Sequence, residues 1–592
     1  MKLSEKSSLR ISKILVWLVP AILMVPNVAL SIQGHMGLLA SFANFLLPAG
    51  VFLFMMTWRN RVGTNVLLLV PFMVLAAFQI VLLFLYADGS IIGVDMFLNV
   101  ATSNPSEAME LLDNLRPAII TVVALYLPAI MLAIVAMRGK VRTGAVTTGR
   151  ARMSAMALCV SGGVVLGCCV LTDPYYHVDE AFYPVNVLAN LGSAFKRSFD
   201  SGHYHETSAS HSYHARSTRH GNRREVYVAV IGETSRADNW QILGYNRFTT
   251  PRLSSLPAGK VAAFRNALSE SNTTHKSVPL LLSTLSSEDF ADSLNCSRSI
   301  ITAFKEAGYN TAYITTQCRN GSYIDYFAAE ADTTMYIREP EPGNIYLDVY
   351  DVDMLAPLDS LLALEPTKLF VVLHQYGSHF NYVDRYPREA AFFLPDKASE
   401  AAADNRGRLI NAYDNSIRQT DELLCSIIER LDSIGCDGGM IYTSDHGEDI
   451  FDDARGRFLH ASPTPTYFQL HVPMLVYVTP SLGSRRPDLV NQARIHRNCR
   501  VSSSASFSPT ILHMAGIDTP LLDLGEALTS SKYREVEHRC FLSDRNRARS
   551  LDEAGFSAED FARLERLEHT RYISERVSHS NSASLSSSLR AE

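Results

Sequence analysis

Six side chains between residues 233 and 460 have the types and local settings that metal-assisted group transfer requires. The run Val228-Ala229-Val230-Ile231-Gly232-Glu233 reads as a buried strand that stops at a glycine and at once presents a carboxylate. The run Ile441-Tyr442-Thr443-Ser444-Asp445-His446 repeats the arrangement with an acid and an imidazole. Carboxylate oxygen and imidazole nitrogen together suit Zn²⁺, which takes such ligands at about 2.0–2.2 Å in tetrahedral geometry. Thr274 opens a helical stretch, where unpaired backbone N–H groups and the positive end of the helix dipole favour an alkoxide or a bound phosphate. His379 and His460 follow further apolar runs, 369–373 and Phe458-Leu459. Each residue also has an ordinary counterpart: Glu233, Asp445 and Thr274 as helix caps, and the histidines as structural hydrogen-bonding groups.

The elements that must position these groups are short apolar strands at 226–231, 311–315, 369–373, 440–443 and 474–478, alternating with helical stretches. That alternation predicts an α/β/α sandwich, a mainly parallel sheet covered by helices on both faces. Ligands of such sheets collect beyond the carboxyl ends of the strands, where the six residues fall. A chain of 592 residues exceeds what one core supports. Five apolar segments, near 13–32, 36–56, 65–86, 117–137 and 153–172, are each about long enough to span a bilayer. Their short connections carry Lys and Arg in three clusters on one side: Lys2 to Lys13, Arg59 with Arg61, and Arg138 to Arg152. The positive-inside rule puts that side in the cytoplasm and exports the remainder of the chain.

The expected organisation is a five-helix membrane domain (1–172), an amphipathic segment with a Ser/His-rich flexible linker (173–224), a catalytic domain (225–576) and a disordered tail (577–592). The formal net charge of -6 offers no basic footprint for nucleic acid. Of nine cysteines, three lie in the fifth apolar segment. The other six (Cys296, Cys318, Cys425, Cys436, Cys499, Cys540) are an even number compatible with three disulfides in an exported domain.

The conjunction and order of these motifs resembles the phosphoethanolamine transferases, a family that includes lipid A modifying enzymes and mobile colistin resistance proteins and has a fold of the alkaline phosphatase and sulfatase type. The resemblance rests on Gly232-Glu233-Thr234-Ser235-Arg236, Thr274 with Ser277-Val278-Pro279, His374-Gln375 with Gly377-Ser378-His379, Asn411-Ala412-Tyr413-Asp414-Asn415 and Ser444-Asp445-His446-Gly447-Glu448. It implies that Glu233, Asp445 and His446 bind a catalytic zinc with Thr274 as fourth ligand and nucleophile. His379 and His460 would contact the phosphoethanolamine group, move its proton or help hold a second zinc. Asn104 and Glu107, in a loop between the third and fourth spans, would bind the ethanolamine ammonium. The implied protein is a monomer of the bacterial inner membrane with its catalytic domain in the periplasm. Its donor would be phosphatidylethanolamine, its acceptor lipid A or another part of lipopolysaccharide, and its outcome a changed surface charge and polymyxin resistance. Where many members join two cysteines around the nucleophile, Glu270 and Leu280 stand here, so that the loop is expected to be held by packing. The rival readings are a glycerophosphate transferase or sulfatase-like hydrolase of the same fold, and a non-catalytic membrane receptor. Thr274-His275-Lys276 lacks the Cys/Ser-x-Pro-x-Arg setting usual in sulfatases.

Overall fold

The computed structural model describes residues 4–33, 36–86, 91–102, 115–173, 176–219, 221, 223–339 and 348–568. The chain divides into two compact units, residues 1–101, 111–197 and 451–458 in one and residues 102–110, 198–450 and 459–592 in the other.

The first unit is helical: α1 (Glu5–Leu23), α2 (Val25–Gln33), α3 (Leu38–Met55), α4 (Val62–Tyr86), α5 (Arg116–Arg138), α6 (Ala145–Thr172) and α7 (Val185–Ser201). The stretches Glu5–Gln33, Leu38–Met55, Val62–Phe84, Arg116–Arg138 and Thr147–Thr172 are long and apolar enough to cross a membrane. Helices packed in lipid gain little from the hydrophobic effect and rely on close backbone approach, which small residues permit. Gly162 of α6 shows this, because a Cβ there would lie 2.5 Å from the backbone nitrogen of Leu47 in α3. Asn104 and Glu107 lie outside the described residues.

The second unit is built on one seven-stranded sheet. In chain order its strands are β1 (Glu225–Gly232), β2 (Val261–Phe264), β3 (Asn310–Thr315), β4 (Thr333–Tyr336), β5 (Lys368–His374), β6 (Asp437–Ser444) and β7 (Met474–Val478), and in space they run β2-β7-β6-β1-β5-β3-β4. β1 lies between β5 and β6 and is buried along its whole length, as the continuous apolar run of a central parallel strand should be. Register then does the positioning: Gly232 pairs with Ser444 and Ile231 with His374, so Glu233, Asp445 and the His374-Gln375 turn leave the sheet side by side. β7 alone runs antiparallel, and its first residue, Met474, meets Thr443 at the same edge.

Two expectations are corrected. The Ser/His-rich stretch 201–224 is not a free linker. Tyr204 and Tyr213 are buried in the core of the second unit, with their hydroxyls donating to Glu330 and to the Arg298 carbonyl at 2.7 Å, and Arg216–Ser217 pairs with Ile517–Asp518. Two satisfied, buried aromatic anchors outweigh a polar average composition. Nor are three disulfides formed, since Cys296, Cys425, Cys436 and Cys540 are all free thiols. Cys425 and Cys436 are buried, and burial pushes their pKa values up to about 12 and about 11.

Candidate active site

The carboxyl edge of the sheet brings Glu233, Thr274, Asp445 and His446 together. Thr274 is the first residue of helix α8 (Thr274–Leu281), with Thr273 in the extended capping position. The Thr274 hydroxyl is therefore not spent on capping. Its Oγ1 lies 3.4 and 3.3 Å from the two Glu233 oxygens and 3.3 Å from His446 Nε2. His446 Nε2 is in turn 3.6 Å from Glu233 Oε1 and 3.3 Å from Asp445 Oδ2. Ligands placed about 2.0–2.2 Å from a tetrahedral ion stand roughly 3.3–3.6 Å from one another, so this spacing is that of a metal's ligand shell.

The chemistry of the donors agrees with that fit. His446 Nδ1 lies 2.9 Å from the Gly447 carbonyl, an acceptor, which fixes the hydrogen on Nδ1 and leaves the Nε2 lone pair directed at the cluster. Burial pushes His446 well below the ordinary imidazole range, with His460 adding to the effect, and keeps the ring neutral. Asp445 Oδ1 accepts from the backbone N–H of Thr234 and of His446 at 3.1 and 2.7 Å, while its buried Oδ2 accepts no hydrogen bond from the described residues. Burial, and then the neighbouring Asp445 carboxylate, push Glu233 well above the usual carboxylate range, and burial raises Asp445 too. Two buried carboxylates around a neutral imidazole lack a compensating charge, and a metal cation supplies one. Ligand atoms of Glu233, His446 and His460 also lie within 4.8 Å of one another.

The two other histidines flank this cluster. The His460 ring is 4.3 Å from that of His446 and 5.9 Å from that of His379, centroid to centroid, and its Nδ1 lies 3.4 Å from Glu448 Oε2. His379 Nδ1 faces the Phe380 carbonyl at 2.7 Å, and burial followed by the charge of His460 lowers its pKa to about 3. Thr274 and His379 are half-buried, so a ligand can reach both.

Residues 225–517 match the family model described as Sulfatase. This is a sulfatase-family domain. The chain is 27% identical over 324 residues to the Kdo(2)-lipid A phosphoethanolamine 7''-transferase of Escherichia coli K12, a stretch covering 54% of this chain and 55% of that one. It spans about half the length of the curated relatives it matches. Among solved structures, the integral membrane lipooligosaccharide phosphoethanolamine transferase A from Neisseria meningitidis superposes with a TM-score of 0.67 at 18% identity, over 89% of this chain and 99% of that one. The zinc complex of the C-terminal periplasmic domain of EcEptC from Escherichia coli gives a TM-score of 0.52 at 22% identity, over 58% of this chain and 97% of that one.

Within the sulfatase-family domain, several residues given no role by sequence reasoning hold the cluster in place. Thr234 adopts a left-handed backbone conformation (φ 60°), unfavourable for a β-branched residue. Tyr413, from the long helix α9 (Arg406–Ile434), secures it: the hydroxyl donates to the Thr234 carbonyl at 2.7 Å and accepts from the Arg236 N–H at 2.8 Å. The Arg236 guanidinium lies over the rings of Tyr413 and Phe468. Gln317 donates to Glu233 Oε2 at 3.3 Å. Around Thr274, hydrogen bonds do what packing alone was expected to do. Glu270 accepts from Ser287 and, at 2.7 Å, from Ser502, while the buried Lys276 ammonium donates to the carbonyls of Leu542 and Ser543 at 3.0 and 3.2 Å. The sequence signal was present for Tyr413, inside a quoted motif, and absent for Glu270 and Gln317.

Gly377 shows how closely this edge is packed. It has φ +55°, and a Cβ there would lie 2.5 Å from the Glu233 carbonyl oxygen and 2.8 Å from its nitrogen. Gly377→Ala is expected to destabilise the domain by about 1–3 kcal/mol and to displace Glu233. A lowered thermal midpoint together with weaker metal retention, in calorimetry and metal analysis of the purified variant, checks both parts. A variant with wild-type stability and metal content would show that Glu233 tolerates the shift.

Proposed function

We propose that the chain is a zinc-dependent phosphoethanolamine transferase that takes its group from phosphatidylethanolamine and passes it to a lipopolysaccharide acceptor, a lipid A phosphate or a core sugar. One observation carries this reading: a half-exposed threonine hydroxyl at a helix start, 3.3–3.4 Å from the carboxylate and imidazole donors of a buried cluster spaced as a metal's ligand shell. The relatives named as phosphoethanolamine transferases and the zinc complex of a structural neighbour support it.

Glu233, Asp445, His446 and Thr274 would hold the zinc. A bound zinc ion lowers the pKa of a coordinated hydroxyl, as it lowers that of water from 15.7 to about 7. Thr274 Oγ attacks the phosphorus of the donor, and the new oxygen–phosphorus bond forms as the bond to the diacylglycerol oxygen breaks. The proton lost by Thr274 passes to that departing oxygen. The neutral His379 and the adjacent His460 would carry it. In the second half, an acceptor oxygen attacks the phosphothreonine, its proton leaves through the same histidines, and Thr274 is restored. The five apolar stretches anchor the enzyme in the bilayer that contains the donor, with the N-terminus cytoplasmic and the catalytic domain in the periplasm.

Mass analysis of envelope lipids from cells with and without the gene tests the reading. Lipopolysaccharide that gains a phosphoethanolamine group only in cells carrying the gene is the expected result. Unchanged lipids, or free phosphoethanolamine released with no modified acceptor, would end the transferase assignment.

A further inference from the structure

A second polar cleft opens on the same carboxyl edge of the sheet, with a cavity of about 630 Å³. Among the segments that build it are Ala237 and Asp238, beyond β1; Arg265 and Asn266, after β2; and His471, just before the antiparallel β7. The size lies within the range of small-ligand sites.

His471 organises the cleft. Its Nδ1 lies 2.7 Å from Asp238 Oδ2 and its Nε2 lies 2.9 Å from the Arg265 carbonyl, so one buried imidazole fixes two walls relative to each other. The Ala237 N–H donates to the His471 carbonyl at 2.9 Å, tying the cleft to the loop that presents Glu233 four residues earlier. The Asp238 side chain is 33% exposed; its Oδ1 also accepts from the Tyr467 hydroxyl at 3.3 Å, so each carboxylate oxygen has one protein partner and keeps one further lone pair for a ligand. Asn266 is 3% exposed. Its Oδ1 accepts from Arg539, and its Nδ2 is buried with no protein partner. A buried amide donor left unmade costs free energy, and a ligand atom that accepts from it recovers that cost. Leu243, Gly244, Tyr245, Asn246, Asn498 and Leu567 also line it, with the Tyr245 hydroxyl donating to Asp414 at 3.1 Å.

A hydroxyl both donates and accepts, so adjacent hydroxyls match a carboxylate acceptor and an amide donor in one cleft. A phosphate, which only accepts, would meet the Asp238 carboxylate at a penalty. The apolar atoms that Leu243, Tyr245 and Leu567 contribute to the lining suit the apolar face of a sugar ring. We infer that this cleft is a glycan subsite, which binds a hydroxyl-rich sugar of the acceptor beside the transfer centre. The inference rests on the proposed transferase reading for its biological role and on the cleft alone for its binding chemistry.

The test uses the full-length detergent-solubilised protein and deacylated lipopolysaccharide core oligosaccharide as the probe, with inorganic phosphate as a second ligand. Calorimetry should show oligosaccharide binding that Asp238→Asn weakens at least tenfold. Phosphothreonine formation from phosphatidylethanolamine should be unchanged, and KM for the sugar acceptor should rise with little change in kcat. If Asp238→Asn lowers the thermal midpoint, Asn498→Ala and Arg265→Ala, at half-buried and exposed positions, carry the same test. Wild-type protein that ignores the oligosaccharide, variants that bind it equally well, or phosphate binding with the same sensitivity to the variants would each overturn the subsite. Oligosaccharide binding that depends on Asp238, in a protein that forms no phosphothreonine, would uphold the cleft while removing the transferase reading.

Discussion

Thr274→Ala loses transfer of phosphoethanolamine to lipopolysaccharide by roughly 10³-fold or more, and with it any phosphorylated intermediate detectable by intact mass analysis after incubation with phosphatidylethanolamine. The size of the effect follows from what the side chain does and does not do. Thr273, not Thr274, occupies the capping position of α8, so removing the Thr274 hydroxyl takes no hydrogen bond from the helix start. The change also removes the Cγ2 methyl, at a position that is only half-buried. The fold should tolerate the change at a cost of about 1 kcal/mol, near the centre of the range for point substitutions. Thr274→Ser keeps an oxygen at the same point and should recover part of the rate. A Thr274→Ala protein that still modified the lipid would move the nucleophile elsewhere or replace the covalent route with direct attack by the acceptor.

The sheet was legible because a central parallel strand is apolar along its whole length. All five strands read from sequence lie within observed ones, and 474–478 agrees to the residue. The two missed strands stand at the sheet's edges. β4 is half-buried at every position and β2 at alternate ones, so neither reads as a buried run. The reversed direction of β7 was also hidden, since strand direction is set by how the connections cross the sheet and leaves no mark on composition. The 201–224 stretch failed for the opposite reason. Serines and histidines dominate it, yet two tyrosines fix its path, and an average over a window dilutes what two anchors do.

At the site, the residues ending at Glu233 and Asp445 could be found because a strand that stops and presents an acid is an unusual local pattern. The register Gly232 to Ser444 then converts two separated motifs into neighbours. Groups that support the site through long-range geometry were not readable. Tyr413 reaches the Thr234 carbonyl from a helix 179 positions further along the chain. Glu270 supports the loop through hydrogen bonds from Ser287 and Ser502, contacts that leave no spacing signature in the sequence.

Removing the metal is expected to lower the thermal midpoint strongly at neutral pH and hardly at all near pH 5. Glu233 is raised by burial and by the Asp445 carboxylate, and Asp445 by burial, so in the metal-free fold both prefer their protonated forms. A group whose folded pKa exceeds its unfolded value stabilises the fold below the unfolded value, about 4 for these acids, and loses that stabilisation as pH rises through the folded value. The chelated protein thus weakens on going from pH 5 to pH 8, as two uncompensated carboxylates form in a buried site. The metal-bound protein does the reverse, because its ion binds the deprotonated ligands and is displaced by protons as pH falls. An ion present at about a thousand times its dissociation constant stabilises by about 4 kcal/mol, which for a domain of this size corresponds to a midpoint shift on the order of 5–10 °C. Comparing each pH with and without chelator cancels the titration of every other group. Calorimetry with dialysed EDTA, read beside metal content by mass spectrometry, should show the shift at pH 7.5, its near disappearance at pH 5, and its absence at both in Asp445→Asn. An equal chelator effect at the two pH values would mean that the ion lies somewhere other than between these two carboxylates.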